Sequence, residues 1–527
     1  MTTFSRRRPL AILACLFLGL VRSAAADDLT FFAFDDHAIP WRNNVKLTLV
    51  QAQKHPGNPV LRCGPEGAPD HGHAILYGSV LRIDGKFRMW YLGMIDRDEK
   101  HKSPAANWWR PMCYAESTDG ITWTKPDLGL VDFNGSRKNN ICLIESDPWS
   151  LSRVNDFLTV IHEPKDPDPA RRYKAIYIAH MPIEEVHGGR SKIGPAEKRW
   201  CSMVCATSAD GLSWKVVGDR PMNAAGERFE VSGLYHFGDF YYATGQLLSP
   251  WTSLIDGRDS GRVMLAYRSP DFDHWSGEKA LAFARPGQSL ATPLPGQQTH
   301  MGAGIWNRGN VLVGLYGQWQ DGPAEKPKGS SHLWGTRIDL GLIVSDDGLH
   351  FREPVADFKV IARGKEGEWD HICLLQGHAF ANVDDKTLIW YSHWDCEGMF
   401  RSQEIGLATL RRDGFGYVSR RVAEAPASVV TMVVNASSKP RQLVLNAEGI
   451  SHDTPIKVEL LDEHDRPLSA FSGADASMVT MPGTRQVVAW AHSAGLPTGQ
   501  AFAIKATLPD NEAARLYALV VREEAEP

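Results

Sequence analysis

No run of the 527-residue chain reaches the roughly 18 consecutive apolar residues that a membrane-crossing helix needs. A basic excess is missing too: 57 Lys and Arg stand against 62 Asp and Glu, a net charge of −5, which excludes the electrostatic footprint of a nucleic-acid binder. Cysteine is sparse. Of eight, Cys15 lies in an N-terminal apolar stretch. The others (Cys63, Cys113, Cys142, Cys201, Cys205, Cys373 and Cys396) are too few for a disulfide scaffold, and their odd number leaves at least one unpaired. Cys201-x-x-x-Cys205 falls in a strand-like apolar run and reads as buried structural cysteine rather than a zinc knuckle. Helical periods are also scarce, which points to an all-β chain.

What is present is a globular composition, 43% hydrophobic and 23% charged, able to fill a large core. Arg6, Arg7 and Arg8, the apolar stretch Leu10 to Val21 and Ala24-Ala25-Ala26 read as a signal peptide over residues 1–26. The mature chain is thus expected in the periplasm or outside the cell. Removing this segment takes away arginines and no acids, so the mature chain is more acidic still.

A turn repeats through the middle of the chain. Ser117-Thr-Asp119-Gly120-Ile-Thr-Trp123 and Ser208-Ala-Asp210-Gly211-Leu-Ser-Trp214 are followed by two looser copies, Ser269-Pro-Asp271-Phe-Asp-His-Trp275 and Ser345-Asp-Asp347-Gly348-Leu-His-Phe351. Each follows an apolar strand-like run, Asp-Gly supplies a tight turn and the aromatic packs it down. These four aspartates therefore read as structural. Between the copies come hairpins such as Gly78 to Ile83, Asp84-Gly85, then Lys86 to Leu92. A fifth unit, roughly 365–416, keeps the strand pair without the turn motif. Repetition of this kind predicts radially arranged sheets, a five-bladed β-propeller over 27–420. After Gly416 aromatics thin out, and alternating segments such as Arg441 to Asn446, Ile456 to Leu461 and Leu516 to Val521 predict a β-sandwich over 425–524.

With those blade turns and Gly406-Leu-Ala-Thr-Leu-Arg-Arg-Asp-Gly-Phe415, the chain resembles the propellers of glycoside hydrolase families 32 and 43. More closely it is similar to a group of secreted bacterial family-32-like proteins, through Phe34-Asp35-Asp36-His-Ala-Ile39, His55-Pro-Gly-Asn58-Pro59-Val60-Leu61, Arg88-Met-Trp90-Tyr91, Gly135-Ser-Arg-Lys-Asn139-Asn140-Ile141 and Arg172-Tyr173-Lys174-Ala175. The Trp-Met-Asn-Asp-Pro-Asn-Gly, Arg-Asp-Pro and Glu-Cys motifs of invertases are missing, so fructan chemistry is not carried over.

The resemblance implies a carbohydrate substrate and a site at the starts of the innermost strands. Cleaving a glycosidic bond takes two carboxylates, one to protonate the leaving oxygen and one to attack or to activate water. Glu230, before Val231-Ser-Gly-Leu-Tyr, is expected as the general acid, Asp36 as base or nucleophile, and Asp156 as the orienting carboxylate. Arg153, His300, Asp339, Asp370, His378 and His393 are the expected substrate contacts, with Trp108, Trp109 and Trp319 as stacking surfaces and Trp90 as core. Catalysis of this kind requires no cofactor, although a structural Ca²⁺ in the propeller channel is compatible with the resemblance. Two alternatives stay open: a noncatalytic glycan-binding propeller, and a sialidase-like enzyme, for which Arg88, Arg110, Arg153 and Arg337 would have to supply three convergent arginines. The sequence gives no oligomeric state.

Overall fold

The structure is a computed structural model and describes residues 28–94, 110–145, 153–154, 158–182, 199–217, 229–247, 262–285, 298–330, 333–397, 403–493 and 495–523. The expected signal peptide lies outside them. The fold is almost wholly β, and no helix among the described residues is long and apolar enough to cross a membrane.

Four short strands open the chain: β1 (Leu29–Phe32), β2 (Trp41–Asn43), β3 (Val45–Leu49) and β4 (Gln53–Lys54). Unit one holds β5 (His73–Ile83), β6 (Lys86–Met94) and β7 (Arg110–Ser117), followed by β8 (Leu143–Glu145) and β9 (Arg153–Val154). Unit two is β10 (Leu158–His162), β11 (Tyr173–Pro182), β12 (Arg199–Ser208) and β13 (Ser213–Val217). Unit three is β14 (Phe229–Phe237), β15 (Phe240–Leu247), β16 (Met264–Ser269) and β17 (Ala280–Phe283). Unit four is β18 (Gln298–Asn307), β19 (Leu312–Gln320), β20 (Arg337–Ser345) and β21 (Lys359–Ile361), and unit five is β22 (Cys373–Val383), β23 (Lys386–Trp394) and β24 (Ile405–Arg411). The C-terminal strands are β25 (Gly416–Arg420), β26 (Ala427–Val430), β27 (Arg441–Glu448), β28 (Ile456–Leu461), β29 (Ser477–Val479), β30 (Gly483–Val488), β31 (Ala503–Leu508) and β32 (Arg515–Glu523).

Within each unit the strands form an antiparallel meander, as the hairpin texture predicts. The first strands touch in a closed cycle: β5 packs on β10, β10 on β14, β14 on β18, β18 on β22, and β22 on β5 again. Close approach is possible because bulky groups are omitted where the strands meet; a Cβ on Gly304 would fall 2.1 Å from the Gly377 carbonyl oxygen. Unit five is completed by the N-terminal strand β4, which pairs with β24 through Ala408↔Lys54 and Thr409↔Gln53.

The repeated turns join neighbouring units at one end of the strands. In the first copy Gly120 N donates to Ser117 Oγ at 2.8 Å, and the amides of Ile121 and Thr122 donate to Asp119 Oδ1 at 2.8 and 2.7 Å. That bonding explains the Ser-x-Asp spacing. The carbonyl of Gly120 accepts from Trp390 of unit five, that of Gly211 from Trp90 of unit one, that of Asp271 from Arg171 of unit two, and that of Gly348 from Tyr235 of unit three. Unit five lacks the motif, yet Asp413 fills the place, taking Arg308 of unit four at 3.3 Å. Gly120 has φ +75°, and a Cβ there would sit 2.7 Å from the Trp390 ring. Gly120→Ala is therefore expected to destabilise by about 1–3 kcal/mol, read as a lower denaturant midpoint.

One buried Asp–Tyr–Lys–Asn arrangement occurs in both unit one and unit five. Asp70, 1% exposed, accepts from Tyr91 OH at 2.7 Å and Lys125 Nζ at 2.5 Å, while Asn140 Nδ2 donates to the same tyrosine oxygen at 2.8 Å. Asp370 repeats this with Tyr391 at 2.9 Å, Lys54 at 2.6 Å and Asn58 at 3.2 Å. Unit two carries a half-buried centre: Glu163 accepts from Tyr241 OH, Lys174 Nζ and His236 Nδ1, each at 2.7 Å. Burial alone would push Glu163 up, but the donors His236, Lys174 and Tyr241 prevail and hold it at about 2, against an ordinary value of 4.5. A depressed folded-state value contributes stability above pH 4.5 that is lost as pH falls toward 2. Glu163→Gln should accordingly flatten the melting temperature against pH over that acid window, by scanning calorimetry.

The C-terminal strands form two facing sheets, one in the order β3-β25-β32-β27-β30 with β1 on β32, the other β2-β26-β31-β28-β29. Alternation along β28, whose Ile456, Val458 and Leu460 are buried, sends apolar side chains into a shared core with Leu443, Leu445, Phe502, Ile504 and Leu519. The boundary expected at 425 is not where the pairing changes. β1 pairs with β32, β2 with β26 and β3 with β25, so residues 29–49 belong with the C-terminal sheets rather than with the 27–420 segment. Alternating patterns identify strands, whereas the partner of a strand is set by tertiary packing.

Candidate active site

The repeated turns occupy one end of the strands, and the opposite end gathers the starts of the first and third strands and the ends of the second. There Glu230, at the start of β14, accepts from Gln246 Nε2 at 2.6 Å, and Gln246 Oε1 in turn accepts from the Met301 amide at 3.1 Å. This amide bridge ties unit three to a bulge in β18 between His300 and Ala303, where Met301 has φ +63°.

Arg262, just before β16, lies over the Trp319 ring at 4.1 Å. Burial pulls its guanidinium below the ordinary value, and the carboxylates of Glu230 and Asp321 and the Tyr77 hydroxyl pull it back up. Asp321 is fixed by Trp319 Nε1 at 2.6 Å and Gln298 Nε2 at 2.8 Å, and Gln298 Oε1 accepts from the Arg262 amide at 3.0 Å.

His300 is 4% exposed and stacks on Trp319 at 5.2 Å and on Trp394 at 5.7 Å, the two tryptophan rings being 6.4 Å from each other. Burial, with Arg262 adding its positive charge, drives the imidazole far below its ordinary value, so it is neutral at pH 7. Its Nδ1 is buried and has no partner among the described residues. Trp394 is half-buried, whereas Trp319 is only 3% exposed. The expected stacking surface Trp319 is thus a support between Arg262 and His300, and Trp394 presents the more open ring. Trp90 is fully buried, as expected of core, while Trp108 and Trp109 lie outside the described residues.

Several sequence expectations are corrected. Asp36 does not meet Glu230. It is exposed and takes Arg352 Nε at 3.0 Å, and the same guanidinium binds Asp346 at 2.8 Å and the buried Asp35. Arg352 follows the fourth repeated turn, whose Gly348 lies against Phe237. Phe237 ends β14, and Glu230 is near its start, seven residues or roughly 20 Å away at about 3.3 Å per residue. No acid pair spans that gap. Asp339 is held by the Arg363 amide at 2.7 Å and Lys359 Nζ at 2.7 Å, and Asp370 by Tyr391 and Lys54, so both are centres of ion pairs. His378 is buried where first strands meet, its ring facing the Ile305 amide, and burial lowers it to about 4. It fastens the ring of strands. His393 also drops to about 4 through burial, and being next to Trp394 in β23 it faces the other way, with its ring edge on Trp369.

Asp156 lies outside the described residues. Arg153 is placed only by its backbone, in β9, which pairs Pro111↔Arg153 with β7. Of the sialidase-type arginines, Arg88 is at the turn end, donating to Tyr173 OH at 3.0 Å, and Arg337 binds Glu397 at 2.5 Å. The residues that the sequence did not single out are Gln246, Arg262, Asp321 and Trp394. All but Arg262 sit at or beyond the ends of second strands, a position the repeat arithmetic could have exposed.

Where the first strands meet, Ser79, Thr159, Ser232, Gln376 and His378 supply hydroxyl, amide and imidazole groups, and a calcium ion there would take its carboxylates from outside these described residues. Among the described residues no three His, Cys, Asp or Glu side chains group to hold a metal.

No family model matches the chain, and no curated protein matches it. Solved structures do. A glycosyl hydrolase from Bacteroides ovatus is 12% identical with a TM-score of 0.41, covering 69% of this chain and 94% of its own. A structure titled for the GH130 family of mannoside phosphorylases, containing glycoside hydrolases that target β-1,2 mannosidic linkages in Candida mannan, is 13% identical with a TM-score of 0.41, over 69% and 94%. The Bombyx mori GH32 β-fructofuranosidase is 12% identical with a TM-score of 0.35, over 89% and 95%. These neighbours are described as glycoside hydrolases.

Proposed function

We propose that the chain is an exported glycoside hydrolase whose five units form a five-bladed β-propeller, with the facing C-terminal sheets as an accessory β-sandwich. The cycle of first strands and the turn-to-neighbour hydrogen bonds that run through all five units support the propeller reading. The observation that carries the enzymatic reading is the convergence of Glu230, Arg262, His300 and Trp394 at the end opposite the turns.

In this reading Glu230 is the general acid that protonates the leaving oxygen. Gln246 holds its carboxyl by one oxygen, and Arg262 orients it and stabilises the carboxylate left after proton transfer. The open Trp394 ring stacks on the apolar face of a sugar, backed by the neutral His300 ring. Asp156, which falls between β9 and β10 in the chain, is the second carboxylate. It takes over the role that the sequence assigned to Asp36. The substrate class is a plant or algal oligosaccharide or polysaccharide.

One observation favours glycan binding without cleavage: of the three acids expected in catalysis, Asp36, Asp156 and Glu230, only Glu230 is found at this end among the described residues. The mature chain incubated with a panel of oligosaccharides and aryl glycosides, with reducing-sugar release as the readout, separates the two. Release supports the hydrolase. Binding of the same glycans with no release from any of them makes the chain a glycan-binding propeller.

A further inference from the structure

Cys373 starts β22, and Cys396 lies two residues beyond the end of β23. The register pairs Cys373 with Trp394, which brings Cys396 diagonally alongside on the same face of the hairpin. Their sulfurs are 3.4 Å apart, and the two residues are 0% and 1% exposed. Both thiols point at the Thr336 carbonyl oxygen, at 3.5 and 3.7 Å. Cys396 Sγ also lies 3.7 Å from the Leu333 carbonyl oxygen, so the two sulfurs share a closed pocket lined by backbone carbonyls. To join, the sulfurs need to close from contact to about 2.05 Å, within reach of side-chain rotation.

We propose that Cys373 and Cys396 form a structural disulfide in the mature protein, closing the open end of the β22–β23 hairpin. The bond forms by exchange with a disulfide oxidant of the export compartment. The thiolate of one cysteine attacks one sulfur of the oxidant and forms a mixed disulfide with it, while the oxidant's second sulfur leaves as a thiolate. The second cysteine then attacks the mixed disulfide and expels the other oxidant sulfur. The two protons lost by the cysteines end on the reduced oxidant, so two thiols are oxidised and one disulfide is reduced. Export rests on the signal-peptide reading, whereas the pairing rests on the hairpin geometry alone.

The pair behaves as a staple rather than a switch. Burial, and then the neighbouring Cys396, push the Cys373 thiol well above its ordinary value, so thiolate is scarce once the pocket has closed. Oxidation therefore belongs to folding, before the sulfurs are covered, and the finished bond is shielded from reductants. What it pins is one wall of the candidate site: Trp394 on His300, Asp395, whose Oδ1 takes the Glu397 amide at 3.0 Å, and Glu397 on Arg337. Among the described cysteines this pair alone has its sulfurs in contact, which also fits the odd cysteine count of the mature chain.

The test refolds the reduced, unfolded mature chain with oxidised glutathione, and in parallel with dithiothreitol. Free thiols are then alkylated in denaturant, and the digest is mapped by mass spectrometry without reduction. A peptide linking Cys373 to Cys396, two hydrogens lighter than its reduced components, is expected, with a melting temperature several degrees above that of the dithiothreitol sample. Cys373→Ser and Cys396→Ala should each abolish both the linked peptide and the difference between the two refolding conditions. Full alkylation of both cysteines after oxidative refolding overturns the proposal, as does their linkage to other cysteines. A correctly linked wild type with the melting temperature unmoved by dithiothreitol overturns the staple role. None of these readouts depends on the chain having glycosidase activity.

Discussion

Glu230→Gln is expected to lower kcat/KM on natural oligosaccharides by about 10²–10⁴-fold, the range a positioned general acid contributes. The amide keeps the shape and the hydrogen bond toward Gln246 and removes only the transferable proton, so binding should survive. Leaving-group dependence is the sharper readout. A dinitrophenyl glycoside departs without protonation, and the variant should lose far less on it than on an alkyl glycoside, where the proton is required. Equal losses on both substrates would assign Glu230 to binding or to folding. Asp36→Ala serves as the companion. Its carboxylate is engaged with Arg352 near the turn end, so turnover should stay within about twofold and stability should fall by no more than about 1 kcal/mol.

Asp370→Ala should cost about 2–3 kcal/mol of stability and leave the kcat/KM of the folded fraction unchanged. Removing this carboxylate strands the Tyr391 hydroxyl and deprives Lys54 of its partner. Lys54 keeps 27% of its side chain exposed, so water takes up part of the loss and the figure falls below that of a fully buried pair. Asp70→Ala should cost a similar amount, because Tyr91 and Lys125 repeat the arrangement in unit one. Chemical denaturation read by tryptophan fluorescence measures both. Loss of glycan affinity by Asp370→Ala at full stability would return that residue to the site.

The elements themselves were readable. Asp-Gly turns and two-residue alternation are local properties of the backbone, and the strands and the four repeated turns are found where the spacing puts them. The structural role of Asp119, Asp210, Asp271 and Asp347 followed from the same locality, since each carboxylate caps amides two and three residues ahead. Asp36 was misplaced because an acid just before a strand carries no information about which end of the ring it will join. Arg352, more than 300 residues away, decides that. The ion pairs of Asp339 and Asp370 were hidden for a related reason, as a lysine that neutralises a carboxylate leaves no trace near it in the chain.

By itself the sequence determined an all-β chain, its repeated units, their strand boundaries and the caps of their turns, because each depends on contacts between residues a few positions apart. Only the tertiary structure decided that β4 completes unit five, that β1 to β3 pair with the C-terminal sheets, and that Arg262, Trp319, Asp321 and Trp394 gather around Glu230 and His300. Those outcomes depend on strands that meet after long loops close, where register and burial choose among partners that local propensity leaves equivalent.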